Sequence, residues 1–328
     1  MSSDSSTALY LLSIGDRLYQ TVGLFIVVYS TIGNLCNCFA FLCIPALNKH
    51  PNALFTIAAS VGSLIFIDIG LSSAIIRVWS ENKVADQWLF WCKIGTWLTY
   101  FSGCFSFMCT CFVTLGQYLI TSPKLQWQRL ITRFRAKLMI CFAGIFWPLV
   151  FIPLPIYYKH TYTSLHTCIC TSSLPVIITY GNYCIIIGYY FLPVAFIFVF
   201  FCLTWFNLRQ LLRRRKKLET VVTRMMLIQM SILLMNGIPS GIYFCYILIT
   251  QYSKRTLLQA VYEHLIMLVL TMFTFLTNGL SFWVYCAVSK TFRKHLTDFI
   301  GRWKLCRRRR VGPVAIVPAT RLNVFNLT

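Results

Sequence analysis

The chain has 328 residues, of which 58% are hydrophobic and only 12% are charged, and its mean hydropathy is +0.69. Soluble domains carry about a quarter charged residues and about half apolar ones. The composition therefore excludes a water-soluble globular protein, a disordered chain and a secreted disulfide scaffold. It predicts a membrane protein.

Uncharged stretches divide the chain into segments long enough to cross a bilayer, for which a helix needs about 20 mainly apolar residues. Seven such stretches lie at residues 18–48, 50–67, 94–123, 138–158, 160–208, 225–253 and 264–289. The fifth is too long for one helix, and we assign its helix to residues 183–206, after a polar loop. The second continues past Asp68 to Ile76. The sequence therefore predicts an all-α membrane protein with a seven-transmembrane helix bundle.

The distribution of lysine and arginine predicts the orientation of this bundle. Of the 30 cationic residues, 23 fall in one set of alternating loops and 7 in the other. Because cytosolic loops carry the excess of Lys and Arg, we place the C-terminus in the cytosol and the N-terminus outside. The predicted division is an extracellular N-terminus (1–20), the membrane domain (21–288) and a cytosolic tail (289–328). Lipid attraction explains the arginines at 307–310, without nucleic acid.

Residues of several helices carry a family resemblance. A glycine–asparagine pair, a cysteine opening the third helix, a tryptophan, two prolines and a tyrosine followed by a phenylalanine occur in order. They are Gly33, Asn34, Cys92, Trp147, Pro193, Pro239, Tyr285 and Phe292. Together with the seven helices, this pattern resembles the rhodopsin-like (class A) G-protein-coupled receptors. The resemblance implies a multi-pass receptor and transducer of the plasma membrane, with a short amphipathic eighth helix at 289–300.

The resemblance also implies a disulfide and two groups of site residues. Cys92 matches the family cysteine that opens the third helix, and either Cys168 or Cys170 matches its partner in the following outer loop. The family's ligand-pocket positions correspond to Thr99, Tyr100, Tyr189, Ser240, Phe244, Thr271 and Phe275. Its activation switch and G-protein face correspond to Asn34, Gln117, Tyr118, Arg224, Pro239 and Tyr285. Each pocket residue is equally well explained as an ordinary packing residue.

Three departures from the family pattern bear on the mechanism. Gly116 and Gln117 stand where the family has an aspartate and an arginine at the inner end of the third helix. No resting ion pair can form there, and we expect that restoring both residues would strengthen coupling. Gly62 falls on the sodium-site aspartate, so sodium modulation is not carried over. Ser281 and Phe282 replace the asparagine and proline that precede the conserved tyrosine.

Two positions narrow the class of ligand that the resemblance implies. Thr99 stands where amine receptors carry an aspartate that pairs with the ligand ammonium, and Phe275 stands where opsins carry the retinal-binding lysine. A cationic amine would lack its counter-ion, and retinal could not form its Schiff base. The implied ligand is an extracellular peptide or a small neutral molecule. A heterotrimeric G protein, arrestin and membrane lipid are the other implied partners.

Single charged and cysteine residues add further expectations. Asp68 is the one acidic residue embedded at depth, which indicates a functional position, although a water-lined place near a helix end explains it nearly as well. Glu263 is expected at a solvated helix end. The cations at 209–217 are explained equally well by G-protein contact and by lipid attraction. Cys306, inside a basic cluster, is the expected palmitoylation site, with a free thiol as the alternative.

The scattered histidines form no acid–base or metal-binding pattern, so no enzymatic activity, cofactor or metal is expected. Two other functions stay open. A seven-helix transporter or channel shares the helix count, although transporters usually carry internal repeats and several midplane charges. A non-signalling decoy receptor of the same fold is consistent with the missing arginine next to Tyr118.

The charge distribution makes a direct prediction about topology. On intact cells, an antibody should reach an epitope tag at the N-terminus, and it should reach a C-terminal tag only after permeabilisation. Staining of one chain that carries both tags, with and without detergent, measures this with an internal control. A C-terminal tag that stains on intact cells would contradict the predicted orientation.

Overall fold

The computed structural model describes residues 3–50, 52–79, 90–162, 168–212, 217–250 and 253–310. Within these ranges the side chains are described except at residues 3–4, 46, 160–162, 168–169, 210–212, 217–224, 300 and 302–310. The described chain consists of helices, short connections and one two-stranded sheet.

Seven helical segments are long and apolar enough to cross a membrane, which confirms the predicted seven-helix bundle. We call them spans 1 to 7, and they comprise Ser5–Cys43, Ala53–Trp79, Trp91–Thr121, Arg133–Tyr157, Pro175–Arg209, Met225–Thr250 and Leu257–Gly279. Span 1 begins earlier than its uncharged stretch (18–48), and span 5 begins earlier than the helix assigned to 183–206. The reason is that a helix needs only its own backbone hydrogen bonds to continue past the end of an apolar stretch.

Finer boundaries divide these spans into α-helices joined by π turns. The α-helices are α1 Ser3–Leu18, α2 Leu24–Cys43, α3 Pro45–Asn48, α4 Ala53–Ile65, α5 Ser72–Trp79, α6 Thr96–Thr121, α7 Leu125–Gln128, α8 Arg133–Val150, α9 Pro153–Tyr157, α10 Pro175–Ile185, α11 Leu192–Leu212, α12 Lys217–Thr250, α13 Leu257–Gly279, α14 Ser281–Val288 and α15 Lys290–Arg310. The π turns are Tyr19–Gly23, Phe66–Leu71, Trp91–Gly95 and Ile186–Phe191.

The N-terminal residues belong to a helix rather than to a separate tail. α1 leads through a π turn directly into α2, and it packs against span 7. Gly15 lies against the side chains of Leu265 and Leu268, and Ala8 is buried. The predicted N-terminal segment 1–20 is therefore, from Ser3 onward, an extension of the first span along the last one.

A disulfide and a hairpin mark one end of the bundle, which we call the outer end; the opposite end is the inner end. The strands β1 (Tyr158–Tyr162) and β2 (Cys168–Ser172) follow span 4 and pair antiparallel, with His160 opposite Cys170. Cys170 forms a disulfide with Cys92 at the start of span 3, and their Cα atoms are 5.5 Å apart. Of the two partners left open by the sequence, the structure pairs Cys170 with Cys92.

Glycines allow the closest contacts between spans, as small residues do in membrane bundles. A Cβ atom on Gly33 of span 1 would lie 2.5 Å from the carbonyl oxygen of Gly279 in span 7. A Cβ atom on Gly188 of span 5 would overlap the ring of Trp147 in span 4. The indole Nε1 of Trp147 donates to Met108 Sδ at 3.1 Å, which ties span 4 to span 3.

The outward faces of the spans carry large exposed hydrophobic side chains. Phe134, Ile145, Met235 and Ile249 are each more than 60% exposed. Contiguous apolar surface of this kind is unfavourable in water and matches the hydrocarbon core of a bilayer. The bundle is therefore that of a multi-pass membrane protein.

The chain continues beyond span 7 as two more helices. α14 ends at an extended residue, Ser289, and α15 runs from Lys290 to Arg310, which is longer than the helix predicted at 289–300. Phe292 is buried, with its ring 5.8 Å from that of Tyr285. The backbones of Cys306 and Arg224 lie in α15 and α12, but the side chains of both lie outside the described residues.

The observed disulfide predicts distinct effects for three neighbouring cysteines. Cys92→Ser and Cys170→Ser should lower surface expression to a similar extent, because the bridge closes a loop of 78 residues and such bridges typically contribute about 2–4 kcal/mol. Cys168→Ser, as the matched control, should leave expression near that of the wild type. Flow cytometry of an N-terminal tag measures this, and an equal loss in all three variants would contradict the pairing.

Candidate functional site

An uncharged polar network joins the spans in the interior of the bundle, and Asn278 of span 7 lies at its centre. The Asn278 side chain donates to Tyr189 Oη of span 5 at 3.2 Å and accepts from Ser63 Oγ of span 2 at 3.4 Å. The backbone carbonyl oxygen of Asn278 accepts a hydrogen bond from Asn34 Nδ2 of span 1 at 3.3 Å. Ser63 also shares a 2.7 Å hydrogen bond with Ser106 of span 3. One asparagine thus connects four other spans directly or through one hydroxyl.

A small cavity lies on the inner side of this network. It measures about 30 Å³ and is lined by Asn37, Gln229, Asn278 and Tyr285 among other residues. Asn37 Nδ2 donates to Ser60 Oγ at 2.9 Å and to Ser281 Oγ at 3.2 Å. Among the described residues its Oδ1 atom has no hydrogen-bond partner. A polar cavity of this size has room for one or two water molecules, which would satisfy that oxygen.

The sixth span joins the network at two levels. In its middle, Asn236 Nδ2 donates to Thr274 Oγ1 at 3.2 Å and to Thr277 Oγ1 at 3.4 Å, both on span 7. At the inner end, Tyr285 Oη donates to Gln229 Oε1 at 2.5 Å. Polar contacts therefore link span 6 to span 7 and to α14 over most of their shared length.

The predicted switch residues of span 3 lie at the inner end of the bundle. Gln117 is 1% exposed, and its Nε2 donates to Met226 Sδ of span 6. Its backbone carbonyl accepts from Thr121 Oγ1 at 2.8 Å. Tyr118 packs instead against Phe200 of span 5, with ring centroids 5.5 Å apart. The structure thus brings Gln117 into contact with the sixth span.

Gly116, which stands where the family has an aspartate, packs closely against span 2. A Cβ atom at this position would overlap Asn52 Oδ1 and lie 2.6 Å from Ile131 Cδ1. Asn52 is fully buried, and its Nδ2 donates to the carbonyl of Val113 at 3.1 Å. The close approach of spans 2 and 3 therefore opposes an aspartate at 116 by packing, and the gain in coupling expected from the restored pair stays a prediction.

Short connections at the inner end are fixed by hydrogen bonds. Burial lowers the pKa of His50 to about 4, so its imidazole is neutral at neutral pH. Its Nδ1 accepts the backbone N–H of Asn52 at 3.3 Å. Arg133 Nη2, at the start of span 4, donates to Asn48 Oδ1 at 2.8 Å. The connection between spans 1 and 2 is thereby held against span 4.

A cavity of about 170 Å³ lies at the outer end, beside the disulfide. Two of the predicted pocket residues, Thr99 and Tyr100, line it together with Arg77 of span 2 and Cys170 of β2. Thr99 Oγ1 donates to the carbonyl of Gly95 at 2.8 Å. The cavity lies beside the bridge between Cys92 and Cys170, and both of these cysteines line it.

The other five predicted pocket residues lie deeper or elsewhere. The rings of Tyr189 and Phe275 are both in contact with Phe66, at centroid distances of 5.6 and 4.7 Å. Phe244 stacks on Tyr190 at 4.7 Å. We call these five rings, Phe66, Tyr189, Tyr190, Phe244 and Phe275, the aromatic cluster. Ser240, which is fully buried, and Thr271 belong neither to the outer cavity nor to this cluster. The seven residues therefore do not share one open cavity. Pro239 lies within α12 and is exposed.

The two acidic residues singled out by the sequence are both engaged. Asp68, in a π turn of span 2, accepts a 2.5 Å hydrogen bond from Thr31 Oγ1 of span 1. Glu263 is 8% exposed, so the expectation of a solvated helix end was wrong. It forms an ion pair with Arg255 at 3.0 Å, and it accepts a hydrogen bond from Tyr246 Oη at 2.9 Å. Burial of this carboxylate is possible because these partners surround it.

The sequence reading missed the residues that hold the network together. Asn37, Gln229 and Asn278 are side-chain amides inside otherwise apolar spans. Polar side chains at such depth face the bundle interior and require partners, and this is the signal that could have identified them. Charge alone does not identify these residues, because side-chain amides are uncharged.

Comparison with protein-family models and with curated proteins finds no match for this chain. The chemistry of the site therefore has to be argued from its own geometry. That geometry consists of an outer cavity, an aromatic cluster, an uncharged polar network and an inner contact between spans 3 and 6.

The close packing at Gly116 predicts a stability effect. Gly116→Ala should destabilise the protein by about 1–3 kcal/mol, because the added methyl group forces Asn52 and Ile131 to move. Gly144→Ala in span 4 is the matched control, since a Cβ atom there would make only an ordinary 3.8 Å contact with Phe105. Thermal unfolding in detergent measures both variants. Equal melting temperatures would contradict the packing described.

Proposed function

We propose that this protein is a rhodopsin-like G-protein-coupled receptor of the plasma membrane, with its outer end facing the extracellular side. In this proposal an extracellular peptide or small neutral molecule binds from the outer end. The helices then rearrange, and a heterotrimeric G protein is activated at the inner end. Arrestin would use the same inner face. The family matches in sequence and the loop charges support the orientation and the class.

The observation that carries the proposal is the polar network that crosses the bundle. It runs from Tyr189, inside the aromatic cluster, through Asn278 to the cavity that Tyr285 lines. A signal receptor needs elements with two arrangements that are biased from both faces. Hydrogen bonds between uncharged side chains suit this role, because in membranes each contributes only about 0.6 kcal/mol on average and can be exchanged.

The ligand side of the proposal draws on the outer cavity. The Cys92–Cys170 bridge lies beside the cavity that Thr99 and Tyr100 line. Below the cavity, Phe275 and Tyr189 meet through Phe66, so a ligand that displaced these rings would reach Asn278. Thr99 offers a hydroxyl rather than a carboxylate, which favours a neutral group over an ammonium at that point.

The inner face differs from that of the family in a way that shapes the mechanism. Gln117 contacts Met226 through an uncharged amide, whereas charge-assisted hydrogen bonds are about twice as strong as neutral ones. The proposed receptor therefore lacks at this position the charged contact that the family uses, and we expect its inactive state to be held less firmly. α15 and a palmitoylated Cys306 would anchor the basic tail to the inner leaflet.

A second candidate function shares this fold. A decoy receptor binds ligand without activating a G protein, and the uncharged Gln117 favours this alternative because no cation reaches the inner surface from that position. The receptor and the decoy make opposite predictions for signalling without ligand. A panel of sensors for each Gα class, expressed with the protein at matched surface levels, therefore separates them.

The uncharged contact at Gln117 predicts a gain of ligand-independent signalling. Gln117→Ala removes the hydrogen bond to Met226, which as an uncharged bond in a membrane contributes about 0.6 kcal/mol, so basal activation should rise about threefold. Ser231→Ala is the matched control, because among the described residues the Ser231 hydroxyl donates to its own helix, at the carbonyl of Leu227. Absence of signal from every Gα class in both the wild type and Gln117→Ala would contradict the receptor proposal and favour the decoy.

A further inference from the structure

A groove runs along the outward side of spans 5 and 6, in the outer half of the bundle. Its volume is about 720 Å³, which lies within the range of about 300–1,000 Å³ that small-molecule sites occupy. Its lining is almost wholly apolar, and it includes Ile186, Tyr190, Phe191, Val194, Ala195, Phe198, Gly237, Ile238, Gly241, Ile242, Cys245, Tyr246 and Ile249. The groove opens on the apolar outer surface of the bundle, so it is accessible from the hydrocarbon of the bilayer.

Two glycines give this groove its depth and direction. A Cβ atom on Gly237 would lie 2.6 Å from Val194 Cγ2, so spans 5 and 6 touch there. One turn further out, a Cβ atom on Gly241 would lie 3.6 Å from Tyr190 Cβ, so the helices have begun to separate. From Gly237 to Ile249 the groove extends about 18 Å along the helix. One leaflet of the hydrocarbon core is about 15 Å thick, so the groove accommodates an acyl chain down to the bilayer midplane.

A polar cluster lies at the outer end of this groove. Tyr246 lines the groove and also a second cavity of about 560 Å³ between spans 6 and 7. The second cavity is also lined by Tyr243, Tyr262, Gln259 and Glu263. Tyrosines at this level match the aromatic belt of a membrane interface. The apolar groove therefore continues, at Tyr246, into a site for a polar headgroup.

The charges of this cluster select the kind of headgroup. Glu263 accepts hydrogen bonds from Tyr246 Oη at 2.9 Å and from Gln259 Nε2 at 3.1 Å, and its other oxygen faces Arg255 Nε at 3.0 Å. Arg255 Nη2 donates to Thr250 Oγ1 at 2.8 Å. The pair holds one negative and one positive charge side by side. Its best complement is a headgroup that also carries both charges.

We infer that spans 5, 6 and 7 bind a single-chain zwitterionic phospholipid, a lysophospholipid of the outer leaflet. Its acyl chain lies in the groove over Gly241, and its ammonium group lies among the tyrosines beside Glu263, where aromatic faces and a carboxylate both attract a cation. Its phosphate lies toward Arg255, which contacts Glu263 at the edge of the second cavity. This site needs the membrane bundle but not G-protein coupling, so failure of the signalling test leaves it standing.

Photolabelling tests this inference directly. The purified full chain in nanodiscs is exposed to lysophosphatidylcholine with a photoreactive acyl chain, and labelled peptides are located by mass spectrometry. We expect labels to concentrate on the peptides that contain Phe191, Phe198 and Ile242. Competition with unlabelled lipids of the same chain length should be strongest with zwitterionic lysophosphatidylcholine and weaker with both neutral monoacylglycerol and anionic lysophosphatidic acid, since each of these lacks the ammonium group.

Two variants separate the chain site from the headgroup site. Gly241→Leu fills the groove without a backbone clash and should lower labelling about tenfold. Gly144→Leu, which places the same side chain on an exposed position of span 4, should leave it unchanged. The double variant Arg255→Gln with Glu263→Gln removes both charges together, so that neither is left buried alone. It should keep the labelling but abolish the preference for the zwitterionic lipid.

Several outcomes would overturn the inference. Labels spread evenly over the outward faces of all spans would indicate ordinary annular lipid. Equal labelling of Gly241→Leu and Gly144→Leu would exclude the groove as the chain site. Equal competition by the three headgroups would exclude the Arg255–Glu263 pair as the headgroup site. Cross-links between two copies through the groove residues would show that a second copy of this chain, rather than lipid, covers the groove.

Discussion

The absence of water from the bilayer core is the constraint on which the rest of this structure depends. A backbone in hydrocarbon must satisfy its own hydrogen bonds, and this is why the chain crosses the membrane as closed helices. The same requirement applies to polar side chains, which turn inward and meet one another. Asn278 shows the result: its amide and carbonyl groups reach Tyr189, Ser63 and Asn34 on three other spans. The result is a mainly apolar interior that contains a network of uncharged polar side chains.

The helices of the bundle are held together by two kinds of contact, close packing of backbones and hydrogen bonds between polar side chains. Where Gly33 meets Gly279, the backbones approach so closely that a methyl group would not fit. Elsewhere the spans meet through single uncharged hydrogen bonds, such as the one between Tyr285 and Gln229. Span 6 is joined to the rest of the bundle in both ways, by buried apolar side chains such as Met226 and Met230 and by single uncharged hydrogen bonds.

Much of the architecture could be predicted from the sequence, because uncharged stretches have one simple meaning in a membrane protein. The seven spans followed from the spacing of the charged residues. The family resemblance left two candidates, Cys168 and Cys170, for the disulfide partner of Cys92. The site was less predictable, since its contacts join residues far apart in the chain. The burial of Glu263 depends on Tyr246 and Arg255, and neither spacing nor charge indicates that they meet it. Likewise, the sequence aligned Gly116 with an aspartate of the family, but it did not indicate that the Asn52 side chain fills the space where a side chain at 116 would lie.

The most direct test of this account is a double-mutant cycle for the central contact. Tyr189→Phe and Asn278→Leu each remove one partner while nearly preserving volume, and unfolding free energies in detergent give their coupling. The account predicts a coupling of about 0.6 kcal/mol or more, with membrane values reaching about 1.7 kcal/mol. Tyr180→Phe, which removes a hydrogen bond to the carbonyl of Val150, is the control and should not couple to Asn278→Leu. A coupling of zero for both pairs would contradict the central role of Asn278.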